Sequence, residues 1–100
     1  MTSKKKVFVL SDGGHDYSAA EKYGQIVICS EGALHKDDVS QMYRLLSDAM
    51  YDASEGDYIL VSSLTSLCMV GAAIMANTYG KLNLLIYREG KYVERNLVLE

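Results

Sequence analysis

"DYILVSSLTSLCMVGAAIMANTYGKLNLLIY", residues 57 to 87, carries the fold in three pieces. Asp57 to Ser63 reads as a strand whose centre, Tyr58-Ile59-Leu60-Val61, is continuously apolar, the pattern of a strand buried on both faces of a parallel sheet. Thr65 to Tyr79 reads as a helix that is apolar nearly all round, through Leu67, Met69, Val70, Ala72, Ala73, Ile74, Met75 and Ala76. Such a helix is covered on most of its sides. Leu82 to Tyr87 then returns as a strand. A strand, a helix and a strand in so short a span make a crossover unit, which joins parallel strands.

Upstream, Val39, Met42, Tyr43, Leu46, Ala49, Met50 and Ala53 recur at helical spacing and form one apolar face. Asp38 and Gln41 stand at the spacing of an N-cap and its reciprocal partner, and Gly56 ends the helix. "QIVICS", Gln25 to Ser30, and "KVFVL", Lys6 to Leu10, are short β-branched runs closed by turn residues. Between them Ser18-Ala19-Ala20-Glu21 has capping-box spacing, and Gly24 stands where one or two helical turns would end. The linker from Ser11 to Gly24 just reaches the length of a parallel crossover. Downstream, Glu89-Gly90 is a tight turn that pairs Leu82–Tyr87 with Tyr92–Leu99 as a hairpin.

The element order predicts one α/β domain over residues 1–100, a small Rossmann-like three-layer fold with helices on both faces of a mostly parallel sheet. Right-handed crossovers make 2-1-3-4-5 the expected strand order, ending in the C-terminal β-hairpin.

Composition narrows the function classes. A chain of 100 residues with 49% hydrophobic content can bury a core without staples. A net charge of −3 argues against a general nucleic-acid binder, whose signature is a basic patch. Lys4-Lys5-Lys6 is the basic run, and it either solubilises the first strand or touches a phosphate. Cys29 and Cys68 sit inside apolar runs with no partner at metal-ligand spacing, so they read as buried thiols of a reducing compartment. The uncharged stretch Tyr58 to Gly80 is broken by Ser62, Ser63, Thr65, Ser66 and Thr78, and no membrane span is expected. The apolar run after the lysines is too short for a signal peptide, so the expected location is cytoplasmic.

In open α/β sheets ligands bind outside the carboxyl ends of the strands, where the strand order reverses. Three polar stretches follow strands here: Ser11-Asp12-Gly13-Gly14-His15-Asp16-Tyr17, Ser30-Glu31-Gly32-Ala33-Leu34-His35, and Ser62-Ser63-Leu64-Thr65-Ser66. Asp12, Gly13, Gly14, His35, Ser62, Ser63, Thr65 and Ser66 are therefore candidate ligand contacts. The 62–66 stretch opens a helix, whose free N–H groups attract phosphate or carboxylate; its hydroxyls otherwise serve as the helix cap. The glycines either let a ligand approach or simply turn the chain. His15 beside Asp16 reads as a catalytic base with its orienting carboxylate, or else Asp16 only starts the Ser18 helix. No phosphate-binding loop and no dinucleotide fingerprint is present, so no cofactor is implied. A metal would need His15, Asp16, His35 and Asp37 to converge, and none is expected.

Eight tyrosines and no tryptophan suit an interface, or half-buried packing with wet hydroxyls. Gly71, Ala72, Ala73 and Ala76 allow close backbone approach, to the sheet or to another subunit. The edge run "KYVERNLVL" is either guarded by Lys91, Glu94 and Arg95 or paired with a second chain.

The stretch "DYILVSSLTSLCMVGAAIMANTYGKLNLLIYREGKYV" resembles the second half of the Rossmann-like CARF domains and compact ring nucleases of CRISPR systems. The similarity spans residues 57 to 98 and rests on layout: strand, Ser/Thr-rich turn, apolar helix, glycine, strand, short turn with arginine, strand. It implies a phosphate contact at Ser62, Ser63, Thr65 and Ser66, with Arg88 near the hairpin, and a ligand lying across a dimer axis. The compact ring nucleases share a helix histidine and an aspartate–arginine pair before the hairpin. Here those places hold Asn77-Thr78-Tyr79 and Arg88-Glu89-Gly90, a departure that bears on the cleavage chemistry.

Two functions follow. One is a homodimer that binds, and in its fullest form hydrolyses, an anionic or nucleotide-like small molecule, with His15 as base. The alternative is a non-enzymatic, oligomeric accessory protein, phage-encoded, acting through its tyrosines and its apolar helix.

Overall fold

The computed structural model describes residues 5–31, 35–62 and 64–99. Five strands, β1 Lys6–Val9, β2 Gln25–Ile28, β3 Tyr58–Val61, β4 Lys81–Arg88 and β5 Lys91–Val98, form one sheet in the order β2-β1-β3-β4-β5. The first four run parallel and β4–β5 is antiparallel, closed by Glu89 and Gly90, both at positive φ (51° and 86°). Two adjacent positive-φ residues give the turn a twist that matches the strands. The α-helices are α1, Val39–Ala49, and α2, Thr65–Tyr79.

The expected three layers are not equal. Phe8, Leu10, Ile59, Leu82 and Leu84 pack under Met42, Leu46 and Met50 of the α1 region and Leu67, Ile74 and Met75 of α2. Both helices therefore lie on one face. The other face, Val7, Val9, Tyr58, Leu60, Leu85 and Tyr92, is covered, among the described residues, by Tyr17, Ala20 and Tyr23 of the first connection. The strand order explains this. The chain steps one way from β1 to β2, and the other way from β2 to β3 and from β3 to β4. Crossovers of one hand then put the first connection on one face and both helices on the other. That first connection is short, and it forms a 3₁₀ turn, Ser18–Ala20, instead of a helix.

Local signals were met unevenly. Asp38 caps α1, its Oδ1 accepting from the Gln41 N–H at 3.0 Å. That helix stops at Ala49, short of Ala53 and Gly56, and Val39 and Tyr43 of its apolar series stay 52% and 57% exposed. The 3₁₀ turn starts from Asp16, whose Oδ1 accepts from the Ser18 N–H, so Ser18 is no capping residue. Gly24 is needed for closeness: a Cβ there would lie 2.4 Å from the Lys5 carbonyl oxygen, which accepts the Gln25 N–H and starts the β1–β2 ladder. Gly71 faces the sheet, where a Cβ would lie 2.8 Å from Leu10 Cδ1, which settles its close approach as packing within the chain.

Candidate functional site

At the carboxyl ends of β1 and β3 the sheet opens into a cleft of about 400 Å³ on the tyrosine-covered face. The residues described along it are His15, Asp16 and Tyr17 after β1, Val61 and Ser62 at the end of β3, and Tyr87 and Tyr92 on the hairpin. The hairpin register sets Tyr87 directly opposite Tyr92, and their rings meet edge to face at 5.4 Å. Tyr17 is buried, and its hydroxyl accepts the Gly13 N–H at 3.1 Å, which ties Gly13 to the tyrosine's outer end. His15 stands exposed beside it, with ring centroids 6.3 Å apart.

Tyrosine extends the cover away from the cleft. Tyr23 stacks edge to face on Tyr58 at 5.6 Å and donates its hydroxyl to the Tyr92 carbonyl, while the Tyr58 hydroxyl donates to Glu94. Tyrosine suits a thin layer because the ring seals the sheet while the hydroxyl finds a partner at the rim. Burial, then the neighbouring Tyr17 and Tyr87 and the charge of Asp16, push the Tyr92 phenol up. Burial first, and then the Glu94 carboxylate, do the same for Tyr58. Both phenols therefore stay protonated at neutral pH.

His15, Asp16 and Ser62 are the sequence-derived candidates that the cleft brings together. The Asp12 Oδ1 accepts from the Gly14 N–H at 2.9 Å, with Gly14 at φ 77°, so this carboxylate shapes the turn. Asp16 likewise shapes the turn that follows, and the bond from Ser18 holds its carboxyl below the usual range. It is thus a fixed negative charge at the cleft wall. His35 lies in the turn before α1, where its carbonyl accepts the Asp38 N–H, and Ser66 donates its hydroxyl to the Lys36 carbonyl at 2.8 Å. These bonds tie the start of α2 to the α1 turn. The N-cap of α2 is Leu64, with no side-chain cap bond, so Thr65 does not cap. Ser63 falls outside the described residues. Arg88 is exposed at the hairpin end and does not line the cleft.

The remaining chemistry is quiet. Burial pushes the Cys29 thiol up to about 12 and raises Cys68, whose thiol donates to the Ser62 carbonyl. Among the described residues no group of three or more His, Cys, Asp or Glu side chains could hold a metal ion. Among them, too, no helix is long and apolar enough to cross a membrane. Tyr17, Tyr87 and Tyr92 form a wall that residue type alone does not announce. The signal was there in part, since residues flanking a two-residue turn share a face of the sheet.

Residues 5–99 match the family model described as "Phage Pam3 gp32-like protein". The chain belongs to that family. The match runs through every strand and helix, the 3₁₀ turn and the cleft, so the whole α/β unit is the family's unit. It agrees with the phage-encoded alternative and carries no statement about a CARF or ring-nuclease relationship. Comparison with curated proteins and with solved structures returns no match.

Proposed function

We propose that this chain is a non-enzymatic phage accessory protein that grips a cationic side chain, Lys or Arg, of a partner protein in its tyrosine-walled cleft. One observation carries the reading. Among the described residues the cleft joins the aromatic walls of Tyr17, Tyr87 and Tyr92 to one fixed charge, that of Asp16. Aromatic faces attract cations, and a nearby ionised acid adds to that attraction once water is displaced. An anion in the same place would meet Asp16 with no Lys or Arg among the described lining residues. Catalysis is poorly served as well. The two carboxylates nearest His15 in the chain are engaged by backbone, Asp16 by the Ser18 N–H and Asp12 by the Gly14 N–H, which does not favour their orienting His15 as a base.

A second reading keeps a nucleotide-like ligand. The observation in its favour is position: the cleft lies where the strand order reverses, with His15 after β1 and Ser62 after β3, as in a Rossmann-like site.

One titration separates them. Uniformly labelled protein is followed by NMR against a blocked arginine peptide, the same peptide with citrulline, and AMP. The arginine peptide is expected to shift His15, Tyr17, Tyr87 and Tyr92, and citrulline to leave them unmoved. Asp16→Asn, which keeps the turn because asparagine makes the same local bond, should abolish the shifts, as should Tyr87→Ala at its exposed position. Shifts with AMP and none with arginine overturn the cation reading in favour of the second.

A further inference from the structure

The sheet ends at β5, and the two halves of that edge differ. β5 is the outermost strand and pairs with β4 without a bulge from Lys91 to Val98. The two-residue turn closes on the Arg88–Lys91 pair, so Lys91, Val93, Arg95 and Leu97 turn their N–H and C=O groups toward β4. The Leu99 N–H, which reaches the Gly80 carbonyl at 2.7 Å, keeps the same phase. Tyr92, Glu94, Asn96 and Val98 therefore aim theirs off the sheet. In the first half the outward carbonyls are capped, Tyr92 by the Tyr23 hydroxyl and Glu94 by the Arg95 guanidinium. Among the described residues no side chain caps the backbone of Asn96 or Val98. Leu97, Val98 and Leu99 are 51%, 68% and 44% exposed. Native edges are blunted by charge, proline, a bulge or shortness. Residues 96 to 99 carry no charge and no proline, and β5 is eight residues long.

An open edge accepts an extended strand, and the residues of this one select which. A two-fold axis through the sheet keeps every side chain on its own face, so two copies pair symmetrically about one central residue. Centring on Glu94 or Arg95 sets like charges face to face, and centring on Val93 sets Lys91 against the second copy's Arg95. Centring on Leu97 puts a residue already bonded to β4 in the middle and shortens the ladder to Asn96 and Val98. Centring on Asn96 meets none of these obstacles. The Asn96 N–H then reaches the second copy's Asn96 carbonyl, the Glu94 N–H its Val98 carbonyl, and the Val98 N–H its Glu94 carbonyl, each bond made twice. On the helix-covered face Val93 lies opposite the second copy's Leu99, and Arg95 opposite its Leu97. The Arg95 guanidinium yields the Glu94 carbonyl to the incoming N–H, and its stem lies along the second copy's Leu97.

We infer that a second copy of this chain adds to the β5 edge, antiparallel and in register on Asn96, so that the two sheets run on as one. Each copy spends its open edge on the other, so association closes at two. The backbone bonds stop short of Tyr92, so the tyrosine-walled cleft of each copy stays open.

Sedimentation velocity on the full chain at micromolar concentration tests this, the expected species being a dimer of 11.1 kDa subunits. Val98→Pro removes an outward N–H that the hairpin does not use, and is expected to give a monomer that keeps the wild-type circular dichroism. Leu97 reads the register, because it lies opposite the second copy's Arg95. Leu97→Glu and Leu97→Lys lose the same apolar contact, but the first gains an opposite charge and the second a like one. Leu97→Glu should therefore dimerise about tenfold more tightly than Leu97→Lys. A monomeric wild type overturns the inference, as does a folded Val98→Pro protein that stays dimeric. Should Val98→Pro fail to fold, the Leu97 pair decides, and equal affinities of those two variants overturn the inference.

Discussion

The two ends of the sheet treat their polar groups in opposite ways. At the amino ends, Asp57 is 2% exposed, and its carboxylate accepts the Lys6 N–H at 2.9 Å and the Ser54 N–H at 2.7 Å. Asn83 beside it donates to the Glu55 and Asp57 carbonyls and accepts from Asn96 at 2.8 Å. Strands β1, β3, β4 and β5 are thus knotted together by side chains that have no reach left for a ligand. At the carboxyl ends of the parallel strands His15, Asp16, Ser62 and Tyr87 face an open cleft. Buried polar groups must be paired to be tolerated, so a closed knot serves stability. Side chains that line a cleft are placed to meet a ligand. One end holds the sheet and the other offers it.

Substitutions at the two ends should therefore read out differently. The largest loss is expected for Asp57→Ala, which strands two backbone N–H groups and should lower stability by about 3 kcal/mol in a denaturant titration. A loss below about 1 kcal/mol would mean that water replaces the carboxylate and that the knot is no anchor. Next comes Gly24→Ala at the same end. The added Cβ meets backbone instead of a flexible side chain, so the β1–β2 edge must shift, at a cost of about 2 kcal/mol. Exchange of the Gln25 amide should accelerate with it.

The smallest effect on stability belongs to Cys29, just past the carboxyl end of the edge strand β2. Burial disfavours the Cys29 thiolate, raising its folded pKa to about 12 from an ordinary 9.0. A raised value means that the stability tied to the neutral thiol is fully present below pH 9 and is lost as pH rises toward 12. Alkylation at pH 8 should accordingly be far slower in the folded protein than after unfolding. Equal rates would show that β2 opens readily and that the cover over this edge is looser than its packing implies.

Much of the fold was legible because the signals were local. The apolar run of Thr65–Tyr79, the Asp38–Gln41 cap and the Glu89-Gly90 turn each depend on residues within one or two turns of chain. The strand order followed from those elements and the handedness of crossovers. The candidate site was legible only in outline. His15, Asp16 and Ser62 reach the cleft, whereas Asp12, Thr65, Ser66, His35 and Arg88 answer to neighbouring backbone or to solvent. A hydroxyl or carboxylate within two to four residues of a free N–H or carbonyl tends to take it, and nothing in residue type distinguishes that use from ligand binding.

By itself the sequence determined the order and kind of the elements, the parallel crossovers, and the absence of a basic, membrane-spanning or metal-spaced pattern, because these rest on spacing and composition. Tertiary structure alone decided that the third layer is the short connection carrying Tyr17, Ala20 and Tyr23, and that Asp16, Tyr17, Tyr87 and Tyr92 line one cleft. It also decided that α1 turns Val39 and Tyr43 outward beside α2. Those outcomes depend on which face each connection crosses and how far each helix rotates as it packs. Both are set by competition among distant side chains for one buried surface.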